Sequence, residues 1–190
     1  MGRVAELGSL AGGFPIPNEQ LLQTLSLTAR LAIALHCFRD YCRKLGLQHV
    51  EIERLLDDLW EFPVDNVRER WDEWEHGHPV LLYVGLGDAW PEGFEEFLRS
   101  NNVDPDDFRP LITGVVEVVF SSFYAAADDK ESMEHLRNVL TIVTAVGVEP
   151  RPLERFASSR FADGHGWGKP LTITERDEWR GTEGADAHSG

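Results

Sequence analysis

Apolar positions recur every three or four residues in one segment after another, and this pattern predicts helices along most of the chain. From Asn18, the positions Leu21, Leu22, Leu25, Leu31, Leu35, Phe38, Tyr41 and Leu45 follow a period near 3.6, with Gly46 as a C-terminal cap and a break expected near Ser26 to Thr28. A second stripe, Val50, Ile52, Leu55, Leu56, Leu59 and Trp60, runs from about His49 to Phe62 and stops at Pro63. A third begins near Val64 and places Val67, Trp71 and Trp74 on one face, so both tryptophans read as core anchors. Residues 80–90 are ambiguous between a buried strand and a helical turn. A short helix follows on Phe94, Phe97 and Leu98.

Asp104-Pro105-Asp106-Asp107 combines an N-cap, a proline in the first turn and acids near the positive helix end. The helix it opens is apolar nearly all round from Phe108 to Tyr124, which places it at the centre of a bundle. Asp128 or Asp129 starts the next, with Met133, Leu136, Leu140 and Val143 as its stripe and Gly147 as its stop. Past Phe161 the stretch DGHGWGKP is turn-forming, and the Thr174 to Asp177 segment caps a last short turn holding Trp179. The expectation is an all-α, single-domain multi-helix bundle over 18–161. A Gly/Pro-rich arm (1–17) precedes it, and a turn-rich, partly disordered tail (162–190) follows.

Charge narrows the partners. The chain of 190 residues carries a formal net charge of −15, which disfavours nucleic acid and anionic membranes and favours a basic protein partner. From Glu51 to Glu75, ten carboxylates meet three arginines. Asp57, Asp58, Glu61, Glu69, Asp72 and Glu73 are therefore the candidate partner-binding residues. Cys37 and Cys42, five apart, point to different sides of one helix, so no disulfide between them is expected. The absence of Cys-rich patterns, of an apolar leader before Pro15 and of a long apolar run leads to the expectation of a cytoplasmic protein without a membrane span.

Candidate chemistry is sparse. No nucleophile elbow, P-loop or HExxH pattern occurs, the His76-Gly77-His78 pair lacks supporting ligands, and neither a metal nor a cofactor is expected. Gly85-x-Gly87 lacks the third small residue of a dinucleotide fingerprint, because Trp90 stands there, and reads as a packed connection. Glu117, in VVEVVF, needs a cationic partner if buried, and His36 and Arg39 are the candidates for a polar pocket with it.

Two stretches, RLLDDLWEF (54–62) and FYAAADDKESMEHLRNVLTIV (123–143), resemble the helix patterns of small all-helical uncharacterised bacterial proteins, some regarded as immunity proteins of toxin systems. The resemblance implies a non-catalytic protector that neutralises a basic toxin domain. The alternative is a helical enzyme or small-ligand-binding protein built around Glu117, and a homodimer burying its tryptophans is a third reading.

Overall fold

In the computed structural model the described residues are 18–64, 77–122 and 127–181, and they form an all-α bundle. Eight α-helices lie among them: α1 (Glu19–Thr24), α2 (Leu27–Lys44), α3 (Val50–Glu61), α4 (Val80–Gly85), α5 (Phe94–Ser100), α6 (Pro105–Phe120), α7 (Asp129–Ala145) and α8 (Ile173–Arg180). Short 3₁₀ turns at Leu153–Phe156 and Gly164–Gly166 join α7 to α8. The N-terminal arm, the Val67-Trp71-Trp74 stripe and the last nine residues lie outside the described residues.

Helices α2, α6 and α7 pack mutually and make the core. As expected, α6 is central. It shares that place with α2, in which every residue from Leu27 to Phe38 is buried, including Arg30 and His36. The aliphatic stripe of α2 covers one side. Ala29, Ala32, Ala34 and Cys37 present small surfaces on the others, so neighbours approach from all round. A similar device joins α6 to α7: a Cβ on Gly114 would lie 2.8 Å from Val139 Cγ2. The ambiguous 80–90 segment resolves as helix α4 plus a turn, and a Cβ on Gly85 would meet Val116 Cγ2 at 2.5 Å. Close backbone packing therefore explains the first glycine of Gly85-x-Gly87.

Caps set the boundaries. Leu25 is extended, and Ser26 Oγ accepts from Ala29 N at 3.1 Å to start α2, which is the break foreseen near Thr28. Gly46 (φ 70°) ends that helix with Leu47 N donating to Cys42 O at 2.8 Å. Asp104 and Asp128 cap α6 and α7 by accepting from Asp106 N (3.0 Å) and Glu131 N (2.9 Å). Cys37 and Cys42 are free and buried. Burial pushes the Cys37 thiol up to about 12 and raises Cys42 as well, which disfavours the thiolate at both.

The turn-rich segment after Phe161 docks through residue 181. Trp167 is buried and lies 5.5 Å from the Phe62 ring, and Trp179 is buried 5.0 Å from Phe156. Gly168 (φ 80°) passes so close to Ser26 and Ser159 that a Cβ would stand 2.3 Å from Ser159 Oγ. Among the described residues no helix is long and apolar enough to cross a membrane.

Candidate functional site

The acidic side of α3 follows from its amphipathic spacing. With Ile52, Leu55, Leu56, Leu59 and Trp60 buried, the intervening Glu53, Arg54, Asp57 and Glu61 face outward. Its outer edge borders a shallow groove of about 490 Å³ lined by Glu51, Arg54, Asp57, Asp58, Glu61, His78 and Val80. Each expected acid in the described residues has an internal partner. Asp57 accepts from Arg180 and Glu61 from Arg176, while His78 Nδ1 donates to Asp58 Oδ2 at 3.0 Å. Burial raises Asp58 above the usual carboxylate range, against the opposing pull of His78.

The two pairs to α8 have a regular geometry. Asp57 and Glu61 are four apart on α3, Arg176 and Arg180 are four apart on α8, and the helices pair in opposite order. Asp57 and Glu61 side chains remain 62% and 57% exposed, so water screens both pairs and each is worth about 0–1 kcal/mol. Helix α8 brings Glu175, Asp177 and Glu178 along with its arginines, so the surface stays acidic. Glu69, Asp72 and Glu73 lie outside the described residues.

His36 and Arg39, one turn apart on α2, meet each other and the end of α8. Arg39 Nη2 lies 2.9 Å from His36 Nδ1, and His36 Nε2 lies 2.7 Å from Trp179 O. A guanidinium can only donate, so His36 Nδ1 accepts, and its Nε2–H donates to the carbonyl. Arg39 Nη1 donates to Arg180 O at 3.1 Å. Burial lowers His36 to about 4, with Arg39, Arg151 and Arg155 adding to the shift, and the ring is neutral at pH 7. The sequence carried the residue types but not their target, 143 positions away.

Glu117 belongs to a different set. It is half-buried, its carboxyl is raised by burial, and the charges acting on it are His135 and Glu131 of α7. Arg30, which the sequence reading left unassigned, is the buried cation of the bundle. It holds Asp129 through the backbone carbonyl (3.0 Å) and the carboxylate, and it lies 5.4 Å from the Phe161 ring centre. Among the described residues no three His, Cys, Asp or Glu side chains gather as a metal site. Compared with known proteins, the chain matches no family model, no curated protein and no solved structure.

Proposed function

We propose that the protein is a non-catalytic acidic binding domain that captures a basic protein segment on the outer side of α3, the action of an immunity protein against a basic toxin domain. One observation carries the reading: carboxylates one helical turn apart on α3 already receive arginines one turn apart from a second helix. A surface that accepts this spacing from its own chain offers the same chemistry to a partner, and its exposed internal pairs are weak enough to exchange. The groove alongside, with Glu51 and Asp58, extends the contact beyond α8.

The test is chemical-shift mapping with a helical peptide that carries arginines at i, i+4 and i+8. Shifts concentrated on Glu51, Asp57, Asp58, Glu61 and His78 support the reading. Shifts scattered over all acidic surfaces, or absent from α3, reject it.

A further inference from the structure

Helix α8 is held to the bundle at one end and touches the acids of α3 through side chains that can let go. Of its residues only Trp179 is buried. At that end Trp179 packs 5.0 Å from Phe156, His36 donates to Trp179 O at 2.7 Å and Arg39 donates to Arg180 O at 3.1 Å. These contacts are with α2 and the 3₁₀ turn at Leu153–Phe156. Towards α3 the helix presents the Arg176–Glu61 and Arg180–Asp57 pairs. Arg176 Nε also donates to Asp177 Oδ1 at 2.8 Å, so its guanidinium keeps a carboxylate when Glu61 leaves it. Arg180 is partly exposed, so water replaces Asp57 beside it.

We infer that Arg176 and Arg180 are an internal competitor for the acidic surface of α3: a basic partner takes Glu61 and Asp57 by exchanging its own arginines for these two, while the rest of α8 stays docked. The inference rests on the reading of α3 as a capture surface and adds the contact that holds its affinity down. Side chains exchange in preference to the helix because screened surface pairs hold weakly. Releasing the whole helix would expose a buried indole and break the bonds to Trp179 O and Arg180 O.

The experiment titrates three full-length chains with the helical peptide carrying arginines at i, i+4 and i+8, at about 0.01 M salt. They are the unmodified chain, Arg176→Gln with Arg180→Gln, and a control of equal charge, Lys130→Gln with Arg160→Gln, two exposed cations that belong to neither α3 nor α8. Circular dichroism first shows that both variants keep their helices. Arg176→Gln with Arg180→Gln should bind about threefold or more tightly than the control, the scale on which two screened pairs act. The unmodified chain gives a second measurement that needs no variant: the peptide should shift the Nε–H resonances of Arg176 and Arg180 and leave amide exchange in α8 unchanged. Equal affinity for the two variants, with peptide shifts still on α3, overturns the inference and leaves the capture reading standing. Faster amide exchange along α8 on peptide binding also overturns it, because the helix is then released whole. Peptide shifts absent from α3 in every chain overturn both.

Discussion

His36 turns the packing of one ring into a dependence on pH. Its folded value of about 4 lies below the ordinary 6.5, so the folded state resists protonation while the unfolded chain accepts it. The stabilisation is fully present above pH 6.5 and is lost progressively as pH falls towards 4. Between pH 8 and pH 5 the loss from this group is about 2 kcal/mol, measurable by urea unfolding at the two pH values. In His36→Gln the amide can still donate to Trp179 O and accept from Arg39, so the variant should fold and show a correspondingly smaller loss over that interval. Glu117 works in the opposite sense, since a raised carboxyl favours the folded state as pH falls, and comparing the two chains cancels it. At this scale the sequence showed that His36 and Arg39 were polar residues inside an apolar helix. It did not show that they cap α8, because the contact depends on how a distant segment returns to the bundle.

At the scale of elements, caps and stripes were readable because their signals are local. Asp104-Pro105, Asp128 and Gly46 each act within four residues of themselves. The last helix is capped by Thr172 rather than Thr174 because Thr172 and Glu175 form a reciprocal capping box, Glu175 Oε2 accepting from Thr172 N at 2.8 Å. The full burial of α2 was less legible, since alanines and a cysteine carry little hydrophobic signal yet decide how near other helices come. Gly114 gives a test of that closeness. Alanine there gains about 1 kcal/mol of helix propensity, but its methyl would press on Val139 at 2.8 Å. Gly114→Ala should therefore destabilise the fold, and Gly168→Ala should cost more because a positive φ and a 2.3 Å approach coincide there. Thermal unfolding of both variants checks the order. Trp179→Ala removes the ring that anchors α8 against Phe156 and should cost about 3–5 kcal/mol.

At the scale of the whole molecule, part of the excess negative charge is paired within the fold. The acids of α3 are partly spent on Arg176, Arg180 and His78, so the outward field is smaller than the sequence count suggests. Those internal pairs could not be foreseen from the chain because the segment that supplies the arginines read as an irregular tail. Steering by the remaining field acts mainly on association rate and fades with salt, as the screening length falls from about 30 Å at 0.01 M to about 8 Å at 0.15 M.

The most direct measurement is the association rate of the arginine-bearing helical peptide with the unmodified chain and with a variant combining Glu51→Gln, Asp57→Asn, Asp58→Asn and Glu61→Gln. Both are compared at about 0.01 M and about 0.15 M salt, after circular dichroism has shown the variant to be folded. An acidic capture surface predicts association slowed about tenfold or more at low salt in the variant, with a flatter salt dependence. Equal rates for the two chains at low salt would contradict it.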